Sequence, residues 1–302
     1  MAVDSFIPKL WASALEVPFR KSLVYSQPGI ANTRFQSALA GGGKSVTINT
    51  IGAGQVRTHD RTVDLTYDDV STTEVELVMD QERYYGFRVS DADKVQAAGD
   101  FQGAATEEHA DKMANEVDTF IAAQLAAGAG KKIGSTKVFD GSDYYIPASG
   151  QITAWDTVRA VAAELDKVSA PTGGRWLVVG PKFASALLAD RRLTDAASTG
   201  TDVVARNGLI GSIPILGVNI YTSLNAPTVS TRETLIAGVP NSLDFATQLR
   251  TMEAFRDPDR FGDIVRGLQI FGANVTRPTG VVTAEADVLP GVIGGAGAPA
   301  GA

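Results

Sequence analysis

The side chains with the widest chemical range are few in this chain and stand apart. Its two histidines are His59 and His109. His59 lies in a polar, Gly-containing stretch, GAGQVRTHDR over residues 52–61, and His109 falls inside a helical pattern. A His-dependent triad or a two-histidine metal site therefore has no pair to draw on. Glu107, Glu108 and Asp111 flank His109, but neighbours at i+1 and i+2 point in different directions on a helix. Cysteine is absent, which removes disulfides, thiolate ligands and thiol nucleophiles. Gly52-Ala53-Gly54 imitates half of a dinucleotide fingerprint without a helix to follow it. Gly130-Lys131 imitates the end of a phosphate loop, yet it follows a helix, and Leu125 stands where the first glycine belongs. Carboxylate pairs such as Asp68-Asp69 and Asp257/Asp259 sit in turn-like stretches, where Asp serves local backbone hydrogen bonds. Lys131, Lys132 and Lys137, with Arg191 and Arg192, are basic but lack the interleaved aromatics that stack bases. No catalytic, cofactor-binding or metal-binding residue is assigned, and no cofactor is expected.

Composition narrows the classes further. The 302 residues are 44% hydrophobic and 20% charged, a folded chain of one or two domains. The formal charge of 27 − 34 = −7 disfavours nucleic-acid binding as the main activity. No apolar run approaches the ~20 residues of a membrane span, and the first residues lack a signal pattern. The expectation is a chain soluble and cytoplasmic when synthesised, with no membrane partner.

The elements that could position anything are easier to read. The first residues carry Phe6, Leu10, Trp11, Leu15, Val17 and Phe19 but are interrupted by Pro8 and Pro18, giving an arm that has to dock somewhere. Val46 and Ile48, then Val75, Leu77 and Met79, alternate with polar residues as strands do, and the polar stretch between them is a hairpin tip. A long two-stranded hairpin is marginal alone, so a neighbouring copy is expected to support it. From Ser90 to Ala127 the period becomes helical, with Gly99 and Gly103 marking a start or bend and Gly128-Ala129-Gly130 a stop. Thr153 and Asp156 cap a second helix running to Val168, and Gly180-Pro181 starts a third through Leu188. Arg175–Val179 (RWLVV), Ile213 to Thr222 and Leu235 to Val239 read as strands. Gln248 to Phe255 and Asp263 to Arg277 are long strands about an Asp257-Pro258-Asp259 turn. The Gly/Ala/Pro-rich tail is expected to be weakly held.

This order of hairpin, long helix, α/β lobe and late hairpin resembles the major capsid proteins of tailed double-stranded DNA bacteriophages, a fold shared with encapsulins. The local likenesses are GRWLVVGP (174–181), GLIGSIPILGVNIYTS (208–223) and FATQLRTMEAFRDPDRFGDIVRGLQIFGANVTRP (245–278). The resemblance implies an α+β fold: an N-terminal arm at 1–30, an extended β-hairpin loop at 31–89, and a peripheral domain with spine helix and long strands at 90–151 and 245–277. An α/β axial domain at 152–244 and 278–290 and a flexible tail at 291–302 complete it.

It also implies a structural, non-enzymatic subunit that self-assembles as pentamers and hexamers into an icosahedral shell around phage DNA. Partners would be further copies of the chain, a scaffolding protein, a portal, a decoration protein, and packaged double-stranded DNA touched nonspecifically. The shell would form in the bacterial host cytoplasm, become the virion capsid, and expand on maturation about a hinge at Gly99 and Gly103. Because the chain starts at its arm, the scaffolding protein is expected to be separate. Contact candidates are Trp11 and Phe19 in the arm and Arg57 and Arg61 at the loop tip, while Trp155 belongs to the axial core. Some relatives crosslink a lysine to an asparagine. Lys44, the only lysine between Thr33 and Val89, lies at the loop base, so noncovalent stabilisation is expected here. An encapsulin-like compartment is the alternative, and an α/β enzyme with a site near Gly180 or Asp190 is a more distant one.

Overall fold

The computed structural model describes residues 21–40, 43–52, 54–59, 64, 67–69, 71–91, 101–141, 145–146, 149–168, 170–190, 212–213, 217–290 and 292–293. In chain order, β1 (Ala31–Asn32) and α1 (Gln36–Ala40) precede β2 (Ser45–Ile51), β3 (Thr72–Val78) and β4 (Gln81–Ser90). The long helix α2 (Phe101–Gly128) is followed by β5 (Lys131–Phe139), β6 (Tyr145–Ile146), β7 (Gln151–Ile152), α3 (Ala154–Lys167), β8 (Arg175–Val179) and α4 (Pro181–Ala189). Then come β9 (Ser212–Ile213), β10 (Val218–Thr222), β11 (Thr228–Val229), β12 (Arg232–Gly238), β13 (Leu243–Arg256), β14 (Gly262–Val275), β15 (Val281–Leu289) and β16 (Val292–Ile293).

The run RWLVV explains the centre of the molecule. All of β8 is buried, as a strand covered on both faces must be. Leu177 and Val179 point to one core, shared with Val158, Val161 and Leu165 of α3 and Phe183 and Leu187 of α4. Trp176 and Val178 point to the other, shared with Val24, Tyr25 and Ile30 of the arm end and Val117, Ile121 and Leu125 of α2. Each fully buried large side chain contributes about 1.5–3 kcal/mol. The sheet that separates the two cores runs β7-β5-β15-β12-β8-β10-β9, with β11 on β12. Thr153 caps α3 as its spacing requires: its hydroxyl accepts from Asp156 N at 3.2 Å and donates to Asp156 Oδ2 at 2.9 Å.

A second sheet, ordered β1-β13-β14-β4, is built on the long hairpin. Pairing runs from Leu243↔Val275 to Arg256↔Asp263. Asp257 closes the tip, with its Oδ1 accepting from Asp259 N at 3.0 Å and its own N donating to Gly262 O at 3.0 Å. Phe245, Phe271 and Val275 of this sheet join the α2 core.

Several expectations need correction. Residues 81–90 are not part of the extended hairpin, because β4 pairs along its whole length with β14. Residues 131–139 are not peripheral in their hydrogen bonding, because β5 runs parallel to β15 in the eight-stranded sheet. Ile213 to Thr222 is not one strand. Gly217 takes φ +63° and turns the chain, so that β9 and β10 pair with each other. The connection between β2 and β3 covers residues 52–71 and not only 52–61. The start of the tail is also held, since Val292–Ile293 pairs with Tyr145–Ile146.

Candidate assembly surfaces

Among the described residues, the hairpin of β2 and β3 is anchored at its base. Met79 N donates to Lys44 O at 2.9 Å, and Ile48, Leu77 and Met79 pack with Leu39 of α1 and Ala246 of β13. Pairing continues outward to Ile51↔Thr72, and Gly52 N then donates to Ser71 O at 2.8 Å. Beyond the base no second layer covers the strands among the described residues. Ile51 (71% exposed), Val56 (101%) and Tyr67 (84%) stand in solvent there, and Arg57 Nη2 lies 2.5 Å from Asp68 Oδ1. Three large apolar groups on one uncovered hairpin end form a surface that favours a partner.

The opposite arrangement holds at the tip of the long sheet. Phe261 is 84% exposed, yet the backbone beneath it is clamped. Arg88 Nε meets Asp257 Oδ2 at 2.6 Å, and Arg256 bonds both Asp91 and Asp263. The hydrogen bond to Asp91, with a smaller contribution from Asp263, raises the Arg256 pKa.

The long helix α2 packs against both sheets. Its first half crosses the long sheet, where His109 stacks on Phe87 at 4.7 Å between ring centroids and sits 5.6 Å from Tyr85. Its Nδ1 is 2.7 Å from Ala105 O. A carbonyl only accepts, so the proton is on Nδ1. Beside it, a cavity of about 390 Å³ is bounded by Leu23, Tyr85, Met113, Val117, Phe245 and Leu268. Among the described residues no group of three or more His, Asp or Glu side chains could hold a metal ion, and no helix is long and apolar enough to cross a membrane.

Residues 74–284 match the family model described as phage capsid protein. The chain belongs to that family. A chain from Mycobacterium phage Che8 is 31% identical, with a TM-score of 0.80 over 94% of this chain and 98% of that one. The capsid of cyanophage P-SCSP1u shares the fold at 16% identity, TM-score 0.74, covering 96% and 95% of the two chains. The mature capsid of bacteriophage PhiM1 does so at 14% identity, TM-score 0.70, covering 94% and 93%. No curated protein sequence matches this chain.

The α+β tailed-phage capsid fold and a structural, non-enzymatic role as a major capsid protein of the virion are thereby established. Of the sequence-derived contact residues of this capsid protein, one falls among the described residues. Arg57 is at the hairpin end, whereas Trp11, Phe19 and Arg61 lie outside the described residues. Gly103 is inside α2, and Gly99 is outside the described residues. Trp155 packs against the α3 and α4 core. His59 is exposed in the hairpin loop, and Lys131, Lys132 and Lys137 are exposed on β5. Sequence reasoning passed over Ile51, Val56, Tyr67 and Phe261. The available signal was a large apolar residue whose two immediate neighbours are polar, charged or glycine.

Proposed function

We propose that this capsid protein assembles as pentamers and hexamers of an icosahedral shell around double-stranded DNA, with the hairpin end of each copy lying on a neighbour. The carrying observation is the exposed set of Ile51 at the end of β2 and Val56 and Tyr67 in the connection to β3, on a hairpin that has no second layer beyond its base among the described residues. Burying such groups on a second copy supplies both the layer the hairpin needs and the adhesion between subunits. Individual contacts are modest, and their number around a closed shell makes it persistent.

The other parts follow the family pattern. Residues 1–30 act as an arm, with Trp11 and Phe19 as its apolar anchors on a neighbouring subunit. Arg57 and Arg61 meet acidic groups there. The hairpin up to Val78 is the extended loop, the long sheet with α2 is the peripheral domain, and the eight-stranded sheet with α3 and α4 is the axial domain. Lys44 sits at the hairpin base, so its reach to a neighbour is short and the shell is held noncovalently. Expansion flexes α2 near Gly99 and Gly103, a reading supported by the cavity that lies between the first half of the helix and the long sheet. Lys131, Lys132 and Lys137 offer phosphate contacts to packaged DNA. A scaffolding protein, a portal and a decoration protein complete assembly in the host cytoplasm.

Deleting residues 54–69 tests the reading. The expected result is a folded protein that elutes as capsomers or single subunits in place of shells. Shells at undiminished yield would overturn it.

A further inference from the structure

We infer that Asp118, acting through Ser26, Asn225 and Lys21, is the positioning residue that fixes where the N-terminal arm leaves the subunit. The inference rests on the reading of the arm as an assembly element.

Asp118 is completely buried on α2, and among the described residues it has no cationic partner. Its Oδ1 accepts from Ser26 N at 3.0 Å and from Ser26 Oγ at 3.3 Å. Its Oδ2 accepts from Asn225 Nδ2 at 3.0 Å. The same Asn225 nitrogen is 3.3 Å from Asn115 Oδ1, while Asn225 Oδ1 accepts from Lys21 Nζ at 3.2 Å. One carboxylate thus ties together the arm end, the long helix and the loop after β10. The Lys21 ammonium and the Asp118 carboxylate are relayed through a single amide.

The donor and acceptor inventory gives this web one solution. Lysine only donates and an ionised carboxylate only accepts, so the Asn225 amide has one allowed orientation. A buried carboxylate needs every one of those donors, because an unsatisfied charge there is strongly disfavoured. Shifting Ser26 away would strip it of two donors, and shifting Lys21 away would take the donor from Asn225 Oδ1. The path of residues 21–26 is therefore set by α2 and the axial loop jointly, and a movement of α2 against that loop is transmitted to them.

Asp118→Asn preserves shape but not this logic. Its NH2 group faces either Ser26 N–H or the Asn225 amide, and flipping Asn225 to relieve the second clash turns a donor toward Lys21. Trypsin cleavage after Lys21 in the full-length, unassembled protein reads the consequence, with cleavage after Arg57 as an internal control. The expected result is cleavage after Lys21 at least about tenfold faster and cleavage after Arg57 unchanged. Asn225→Ala, which removes the relay and one donor to Asp118 but leaves every side chain of the apolar clusters in place, is expected to give the same pattern and serves if Asp118→Asn folds poorly. Unchanged cleavage after Lys21 in both variants, or equal acceleration at both sites, overturns the inference. Electron microscopy of the assembled variants separates the two readings. Faster cleavage at Lys21 with normal shells upholds the latch and removes the assembly role of the arm.

Discussion

Arg57 and Asp68, separated by eleven positions in sequence, are joined at 2.5 Å across the end of the hairpin. Both side chains are about two-fifths exposed (43% and 40%), so the pair contributes at most about 1 kcal/mol to the isolated subunit. Charge reversal of Arg57 together with Arg61 is therefore expected to leave the thermal midpoint nearly unmoved while lowering shell yield severalfold. Scanning calorimetry beside particle counts checks both halves, and intact yield would remove the assigned role of these arginines.

Glu233 caps a helix from a neighbouring strand. Its two carboxylate oxygens accept from Lys182 N at 3.1 Å and Phe183 N at 2.9 Å, satisfying the first turn of α4 and placing negative charge at its positive end. Glu233→Ala is expected to destabilise the protein by about 1–3 kcal/mol in urea unfolding. Gly180 leaves room for this carboxylate, since a Cβ there would come within 2.3 Å of Glu233 Cδ. Gly180→Ala is expected to lose stability as well.

The Tyr25 hydroxyl is buried and has no hydrogen-bond partner among the described residues. Burial first, and the charge of Asp118 second, raise its pKa well above the ordinary 10.0. Below about pH 10 this tyrosine is neutral in both states, so its packing contribution is intact. At higher pH only the unfolded chain releases the proton, so stability falls as pH rises toward the folded pKa. Tyr25→Phe is expected to match or exceed the wild type at pH 7 by up to about 1 kcal/mol and to lose stability less steeply between about pH 10 and 12. Melting curves across that range decide it.

Gly103 lies in the first turn of α2, and glycine has a lower helix propensity than alanine. Gly99→Ala with Gly103→Ala is expected to stiffen this end and slow shell expansion, measured by particle diameter over time. Expansion at the wild-type rate would count against the hinge.

Local chemistry was the legible part of this sequence. The Thr153 cap, the Gly180-Pro181 helix start, RWLVV and the DPD turn are each decided within a few residues, and each stands where the pattern put it. What escaped depends on distant partners. KKIGSTKVF buries only Val138, and its hydrogen bonds to β15 make it a strand. Tyr85, Phe87 and Val89 continue the alternation of β3, so nothing nearby showed that β4 pairs with β14. The exposed hairpin end was half legible: the need of the hairpin for support could be read, but not that Val56 and Tyr67 stand in solvent, because exposure depends on what lies across the chain and not on the neighbouring residues. The buried web around Asp118 gave no signal, because it joins residues 26, 118 and 225.

Electron microscopy of the purified full-length protein, produced with and without the adjoining phage genes and treated with nuclease, tests the central claim most directly. The account predicts closed icosahedral particles or free pentamers and hexamers, with nuclease-resistant DNA inside when the other genes are present. A stable, compact monomer under every condition would contradict it.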